Sequence, residues 1–311
     1  MKKRVFITGP TGAIGMALVR YLTELEYEVV AICRENSKRM SEIADCKNVK
    51  VIKCSLENIG RLTSDTLGNG DFFFHLAWAG TNGQARNNLE LQLDNVHYAL
   101  QCVRLAKELN CKKFIGVGSQ AEYGIANEKL SSKTPVNPIT GYGVAKLTSS
   151  YMCRMEAQTI GIEYNWVRIL SIYGPNDGMH TLMMTLIANL HHNEKIALTN
   201  GIQMWDYLYS GDAARALYLI ATSGINQKNY VLGSGKAMAL RQYIEIVNGL
   251  IPNHSQLQWG KVPYSTQSIM YLCADLEELT HDTGFLPQID FYEGMTKTIQ
   301  WYKEKYEYEE D

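Results

Sequence analysis

The chain has 311 residues, enough for one large domain or two, and 30 Lys and Arg against 32 Asp and Glu give it a net charge of −2 at pH 7. This balance argues against nucleic-acid binding through bulk charge, and no apolar run approaches the ~20 residues of a membrane span. With 46% hydrophobic and 20% charged residues, the composition is that of an ordinary soluble globular protein, so we expect neither nucleic acid nor membrane as a partner.

Short apolar runs alternate with helical patterns over the first half of the chain. The runs predict strands at residues 4–8, 28–33, 49–53, 71–76, 113–117 and 162–170. Apolar residues at helical spacing predict helices after the first strand, over 88–109 and over 142–158. Strands this apolar suit a parallel sheet that is covered on both faces. The alternation therefore predicts an α/β fold with a doubly wound parallel Rossmann sheet.

Gly174 and Pro175 interrupt this pattern, and the segments beyond them are mixed. Helical patterns lie near residues 181–191, 212–221, 240–250, 275–283 and 292–305. We expect a dinucleotide-binding Rossmann domain over residues 1–174 and a smaller C-terminal α/β substrate-binding lobe over 175–311. Part of 202–232 is expected to pack back on the first domain.

A glycine-rich segment, Gly9-Pro10-Thr11-Gly12-Ala13-Ile14-Gly15, lies between the first predicted strand and the first predicted helix. Glycines allow a tight turn and let the backbone approach a pyrophosphate, and the helix N-terminus offers free N–H groups. A plain turn is the alternative. The predicted cofactor-binding residues are Gly9, Thr11, Gly12, Ala13, Ile14 and Gly15 in this loop, with Ser55, Leu56, Leu76 and Ala77 after later strands.

The residues after the second predicted strand bear on the choice of cofactor. NAD-binding folds commonly carry an acidic residue there for the adenosine ribose. This chain has Arg34 and Glu35, with Lys38 and Arg39 close behind. Arg34 can pair with a 2′-phosphate and stack on adenine, whereas Glu35 can bind a ribose hydroxyl. We expect Arg34 to bind the cofactor and NADP(H) to be favoured, with NAD(H) as the alternative.

Tyr142 and Lys146 are four residues apart on a predicted helix, so their side chains share one face. A nearby ammonium stabilises a phenolate and makes proton exchange easier. Ser119 ends the fifth predicted strand, at the edge where doubly wound folds bind ligands, and its hydroxyl can hold a carbonyl or alcohol oxygen. The three residues predict an acid/base centre, although a Tyr–Lys pair alone is also common on solvated helices.

Together these motifs resemble the extended short-chain dehydrogenases/reductases, in the NAD(P)-dependent epimerase/dehydratase group that modifies nucleotide-linked sugars. Besides the glycine loop and the Tyr–Lys pair, the resemblance rests on residues 75–77, Asn95, 118–124, 168–175 and 205–209. It implies a Rossmann lobe, a smaller substrate lobe and dimerisation through a four-helix bundle. It also implies that Tyr142 is the acid/base, that Lys146 binds the nicotinamide ribose and that Ser119 binds the reacting oxygen.

One departure from the family pattern concerns the reaction. Sugar dehydratases of this group carry Thr-Asp-Glu starting where Ser119 stands, and the two acids take part in eliminating water. Here Gln120 and Ala121 follow, neither of which titrates, and Glu122 lies one residue later. Dehydration is therefore disfavoured, and hydride transfer at a single carbon remains.

A second departure concerns the substrate. Nucleotide-sugar members of the family usually carry Arg residues for the diphosphate where this chain has Trp205 and Val262. Lys261, Lys195 or His180 are the possible substitutes. The residues expected to line the substrate cleft are Trp78, Glu122, Tyr123, Ser171, His180 and Trp205.

We predict an NADP(H)-preferring reductase acting on the C4 ketone of a nucleotide-linked 6-deoxyhexose, with Tyr142 protonating the developing alkoxide. A nucleotide-sugar 4-epimerase that uses bound NAD is the first alternative. A non-catalytic NADP-binding sensor is the second, and the retained Tyr142 and Lys146 argue against it.

The seven cysteines are scattered and no two have the C-x-x-C spacing of a zinc site, so no metal is expected. Free thiols suit a reducing compartment, which predicts a cytoplasmic location. From the resemblance we also expect a homodimer.

Overall fold

The structure is a computed structural model that describes residues 3–37, 39–44, 46–265 and 268–306. Its strands in chain order are β1 (Arg4–Thr8), β2 (Glu28–Cys33), β3 (Val49–Lys53), β4 (Phe72–His75), β5 (Lys113–Ser119), β6 (Glu163–Ile169), β7 (Ser171–Tyr173), β8 (Ile196–Ala197), β9 (Met204–Trp205), β10 (Tyr207–Tyr209), β11 (Asn229–Leu232), β12 (Met238–Ala239) and β13 (Leu257–Gln258). Its α-helices are α1 (Ala13–Glu24), α2 (Met40–Ala44), α3 (Ser64–Leu67), α4 (Leu89–Glu108), α5 (Gly141–Ile160), α6 (Leu182–His191), α7 (Ser210–Ser223), α8 (Leu240–Leu250), α9 (Glu277–Thr283) and α10 (Phe291–Tyr306).

The described residues form a parallel seven-stranded central sheet with the order β11-β6-β5-β4-β1-β2-β3. This confirms the predicted doubly wound fold and all six predicted strands. Strand order reverses between β1 and β4, and this switch point is where such sheets bind ligands, beyond their carboxyl ends. The seventh strand, β11, was not predicted as a strand.

Helices cover both faces of the sheet because successive side chains of its strands point to opposite sides. On β1, Val5 and Ile7 lie in a core with α1 and α7, whereas Phe6 lies in a second core with α4 and α5. All three side chains are fully buried. None of the helices in the described ranges is long and apolar enough to cross a membrane.

The second lobe has its own apolar core, formed by α6, α8 and α10. The chain returns to the first lobe twice after Pro175. β11 pairs with β6 in the central sheet, and Leu208, α7, Leu279 and Phe285 belong to the core beneath α1. The first lobe is thus built from discontinuous segments, because the apolar edge of β6 and the face of α1 need cover that residues 1–174 do not supply.

Candidate active site

The glycine loop joins β1 to α1 with a geometry that leaves room for a ligand. Gly9 has φ +71°, and a Cβ there would lie 2.7 Å from the backbone N of Ala77. A Cβ on Gly15 would lie 2.2 Å from the carbonyl oxygen of Gly9, whereas one on Gly12 would meet nothing closer than 4.0 Å. Gly12 is also the N-cap of α1, and its residue type offers no capping side chain to the first N–H groups. The loop therefore fits a dinucleotide pyrophosphate at the helix N-terminus.

The other residues predicted to bind the cofactor lie along the same edge of the sheet. They are all partly exposed and follow β1, β3 or β4: Thr11, Ala13, Ile14, Ser55, Leu56, Leu76 and Ala77. Since the carboxyl ends of these parallel strands meet at one edge, the fold gathers these residues around the switch point.

Two arginines after β2 differ in the hydrogen bonds that their side chains make. Arg34 is exposed, and within the described ranges its side chain makes no hydrogen bond or ion pair, although its carbonyl oxygen accepts from the backbone N of Ser37 at 3.2 Å. Arg39 donates to the carbonyl oxygen of Thr11 at 3.2 Å and also to that of Asn176. Lys38 lies outside the described residues. Arg39 thus ties the glycine loop to the segment after β7, while the guanidinium of Arg34 stays available to a ligand.

Tyr142 lies in the first turn of α5 and is only 8% exposed. Burial raises its pKa above the usual value near 10. A hydrogen bond with the side chain of Ser119 and the charge of Arg86 act in the opposite direction, and the charge of Glu122 adds to the rise. Tyr142 is therefore a protonated phenol at neutral pH, held beside the Ser119 hydroxyl.

Lys146 is one helical turn further along α5 and is 2% exposed. Its ammonium donates to the carbonyl oxygen of Val117 at 2.6 Å and lies 3.7 Å from the ring centre of Trp78. Burial lowers the pKa of Lys146 to about 7, although the charge of Glu122 opposes this. The Nζ atom is 6.0 Å from the ring centre of Tyr142. The structure thus brings the predicted Ser119, Tyr142 and Lys146 together.

Glu122 does not line a cleft, contrary to the sequence-based expectation. It is fully buried and accepts hydrogen bonds from Arg168 Nε at 2.7 Å, Trp166 Nε1 at 3.0 Å and the backbone N of Ser119 at 2.9 Å. A Cβ on Gly118 would lie 2.3 Å from Oε1, so the glycine gives this carboxylate its space. Its charge is used to hold β5 against β6.

Tyr123 is corrected in the same way. It is 1% exposed, and its hydroxyl donates to the carbonyl oxygen of Ser131 at 2.7 Å while accepting from Arg168 Nη1 at 3.1 Å. A buried hydroxyl with both roles filled has no bond left for a substrate. Tyr123 packs in a small core between the lobes.

A loop after β4 is fastened to α4 by two buried amide side chains. Asn95 accepts from the backbone N of Ala79 at 2.9 Å and donates to its carbonyl oxygen at 3.0 Å. Gln92 accepts from Trp78 Nε1 at 2.9 Å. The Trp78 ring meets Tyr142 edge-on, with ring centres 6.2 Å apart. Trp78, a predicted substrate residue, thus lies beside the acid/base centre, whereas Gln92 was not singled out from the sequence.

The predicted substrate residues after β6 contact each other or the opposite lobe. Trp205 Nε1 donates to Ser171 Oγ at 2.8 Å, and both residues are partly exposed. The exposed side chain of His180 is hydrogen-bonded through Nε2 to Asn82 Nδ2 at 2.7 Å. Because Asn82 belongs to the loop after β4, this contact bridges the two sides of the cleft.

The site therefore combines a protonated phenol, a hydroxyl, a buried ammonium and an open glycine turn at one sheet edge. These groups suit hydride exchange at a carbon that bears oxygen, since the oxygen must gain or lose a proton as the hydride moves. In the described part of the chain, no group of three or more His, Cys, Asp or Glu residues is placed to hold a metal ion.

Comparison with known proteins agrees with this arrangement. The chain is 21% identical to a dTDP-glucose 4,6-dehydratase of Neisseria meningitidis, over 96% of this chain and 93% of the relative. It is 23% identical to a putative UDP-glucose 4-epimerase of Methanocaldococcus jannaschii, over 96% and 98%. Among solved structures, a UDP-N-acetylglucosamine 4-epimerase from Methanobrevibacter ruminantium, in complex with UDP-N-acetylmuramic acid, has a TM-score of 0.88 at 23% identity and covers 98% of this chain and 100% of that one.

The sequence model of the NAD dependent epimerase/dehydratase family matches residues 5–233. This range holds the glycine loop, Ser119, the Tyr142–Lys146 pair and the strand that completes the central sheet. As the sequence motifs indicated, the chain is an enzyme of the extended short-chain dehydrogenase/reductase type and belongs to the NAD-dependent epimerase/dehydratase family.

Proposed function

We propose that this enzyme transfers a hydride to or from C4 of a nucleotide-linked sugar, and that the physiological direction is reduction of a C4 ketone of a 6-deoxyhexose. The single observation that carries the proposal is the grouping of Ser119, Tyr142 and Lys146 beside a glycine loop open to a dinucleotide. The relatives, named as dehydratases and epimerases of nucleotide-linked sugars, support the substrate class.

Each residue of the site has a distinct task in this reaction. A bound NAD(P)(H) supplies or accepts the hydride. The Ser119 hydroxyl holds the sugar oxygen, and Tyr142, protonated at neutral pH, gives that oxygen its proton as the carbon is reduced. Lys146 would leave the Val117 carbonyl to bind the nicotinamide ribose, where a cation also stabilises the tyrosinate left behind.

Dehydration is not part of the proposal. Elimination of water needs an acid and a base in addition to the hydride chemistry. Gln120 and Ala121 cannot titrate, and the carboxylate of Glu122 is enclosed by Arg168, Trp166 and backbone. Any elimination would have to use groups outside the 120–122 turn.

The acid/base assignment is tested by Tyr142→Phe, which keeps the ring and removes the proton donor. Reduction of 4-keto-6-deoxy sugars linked to dTDP, CDP, GDP and UDP should fall by a factor on the order of 10² to 10⁴, while dinucleotide binding stays intact. Tyr151→Phe on the outer face of α5 is the matched control. Full activity in Tyr142→Phe would place the proton donor elsewhere.

A 4-epimerase is the second candidate, favoured by the 4-epimerases among the similar proteins. An epimerase regenerates its cofactor in every turnover and has no need to release it, whereas a reductase consumes one NAD(P)H per product. The nucleotide retained by the purified protein separates the two. Tightly held NAD(H) supports the epimerase, and exchangeable NADPH supports the reductase. The exposed Arg34 supports NADP(H) as the cofactor.

We also propose a homodimer through α4 and α5. These helices pack on each other and carry large apolar side chains that face away from the core: Leu89, Leu93, Val144, Tyr151, Met152 and Met155, each more than 40% exposed. An apolar surface of this extent indicates an interface. Leu93→Glu with Met155→Glu should convert a dimer into monomers in analytical ultracentrifugation, and a monomeric wild-type protein would refute the proposal.

The free state of all seven cysteines supports the proposal that the enzyme works in the reducing cytoplasm.

A further inference from the structure

Arg86 lies directly against the ring of Tyr142. The carbon of its guanidinium is 4.5 Å from the ring centre, closer than the 6.0 Å that separates Lys146 Nζ from the same point. The sequence motifs predict that Lys146 is the cation that tunes the tyrosine. In the structure, the ammonium of Lys146 is instead bound to the Val117 carbonyl and the Trp78 ring.

The position of Arg86 is determined by three separate attachments of its short 3-10 turn, Gly83–Asn87. Gln92 Nε2 donates to the carbonyl oxygen of Ala85 at 3.0 Å. Asn87 Oδ1 accepts from the backbone N of Gly141 at 2.9 Å, which fixes the turn to the residue before Tyr142. Arg86 itself donates to the carbonyl oxygen of Thr81 at 2.8 Å.

The type of side chain suits the contact. A planar guanidinium stacks on an aromatic face and keeps its charge at every accessible pH, which an ammonium on a flexible stem does less well. A cation within about 4–6 Å of a phenol favours the ionised form. The other charged groups that face Tyr142 are Lys146 on its own helix and Glu122, which opposes ionisation.

We propose that Arg86 is a positioning residue of the acid/base centre: its guanidinium holds the Tyr142 ring in place and stabilises the phenolate, so that this tyrosine can accept a proton as well as donate one. The inference rests on the proposed role of Tyr142. It extends that role, since oxidation of a sugar hydroxyl requires the phenolate and reduction of a ketone requires the phenol.

The test replaces Tyr142 alone by 3,5-difluorotyrosine, whose more acidic phenol titrates in a range where the protein stays folded. The ¹⁹F resonance of the full chain then reports ionisation at this one position. Arg86→Gln should raise the midpoint by about 1 pH unit, and Arg86→Lys should raise it by less than half as much. Arg154→Gln is the matched control, since Arg154 stacks on Tyr151 at 5.3 Å on the same helix; it should leave the midpoint unchanged.

The inference is overturned if Arg86→Gln leaves the midpoint where Arg154→Gln leaves it. It is also overturned if Arg86→Lys shifts the midpoint as far as Arg86→Gln, since ring coverage and not charge would then be the cause. Thermal midpoints of the variants establish that each is folded. Because the fluorine titration needs no turnover, it separates this inference from the proposed function, which the activity of Tyr142→Phe tests.

Discussion

Two cations near the carboxyl edge of the sheet are equally buried, but their pKa values shift in opposite directions. Arg168 and Lys146 are each 2% exposed. Burial alone would lower the pKa of Arg168, but Glu122 and Tyr123 outweigh it and raise that pKa. Lys146 donates to a carbonyl oxygen and lies near the rings of Trp78, Trp166 and Tyr142, with no carboxylate bound to it among the described residues, and burial lowers its pKa to about 7.

The difference shows how one region can hold both a permanent charge and a switchable one. Oε1 and Oε2 of Glu122 are taken up by Arg168, Trp166 and the backbone of Ser119, so Glu122 attracts Lys146 only from a distance. The paired cation joins β5 to β6. The cation without a carboxylate partner lies beside Tyr142, where a proton has to move.

The largest expected effect on stability comes from Glu122→Gln, which removes the carboxylate partner of Arg168. It leaves the guanidinium of Arg168 buried without its counter-charge, which should lower the free energy of unfolding by about 3–5 kcal/mol. Urea denaturation measures the loss. Glu156→Gln removes a carboxylate from a pair with Arg104, which is 58% exposed, and should cost less than about 1 kcal/mol. Similar losses of unfolding free energy in both variants would mean that the buried Glu122–Arg168 pair stabilises the protein no more than the exposed pair does.

A second variant, Lys146→Met, tests the unpaired cation through the pH dependence of stability. The pKa of Lys146 is about 7 in the folded chain and about 10.4 in an unfolded chain. Between these values the unfolded chain binds more protons, so the wild-type free energy of unfolding rises with pH across this window. At pH 6.5 the folded protein bears the full cost of a buried ammonium.

Lys146→Met removes that cost. It should therefore stabilise the protein relative to wild type by about 2 kcal/mol more at pH 6.5 than at pH 9. Urea unfolding at the two pH values gives the comparison, with Lys107→Met on the exposed face of α4 as the control. If the difference in unfolding free energy between Lys146→Met and wild type does not change with pH, Lys146 is not the group that titrates.

The two cations also differ in how far the sequence could predict their surroundings. Tyr142 and Lys146 are four residues apart on one helix, and the glycine loop is contiguous, so local spacing was sufficient to identify them. Glu122 and Arg168 are 46 residues apart, and they meet only because β5 and β6 pair with Gly118 opposite Arg168. The sequence therefore predicted that Glu122 lines the cleft, because no local pattern indicates that Arg168 is its partner.

The fold shows the same division between local and distant information. β1 to β6 are runs of apolar residues that predict strands without knowledge of their neighbours. β11 has four residues and is recognisable as a strand only once the edge of β6 is known. Arg86 escaped notice for a related reason, since its turn reaches Tyr142 through attachments to α4 and α5.

The smallest effect concerns a third cation, Arg34, which water rather than protein surrounds. An exposed charge has little to gain or lose in stability, so its contribution should appear only when a ligand brings an opposite charge. A charge-assisted bond to a 2′-phosphate is worth roughly 1.5–3 kcal/mol. Arg34→Ala should then weaken NADPH binding about tenfold or more, leave NADH binding nearly unchanged and leave the unfolding free energy within about 0.5 kcal/mol of wild type.

Fluorescence titration of NADPH and NADH against both proteins measures this discrimination. Lys50→Ala removes the same charge from β3, further from the sheet's carboxyl edge, and should weaken neither cofactor. Glu35→Ala tests the alternative. If the Glu35 carboxylate binds the adenosine ribose, this variant should weaken the binding of NADH selectively. If Arg34→Ala weakens both cofactors equally, the argument for NADP(H) is removed, because an exposed arginine beside a cofactor site does not by itself indicate a 2′-phosphate. If Glu35→Ala selectively weakens NADH, the loop after β2 selects NAD(H).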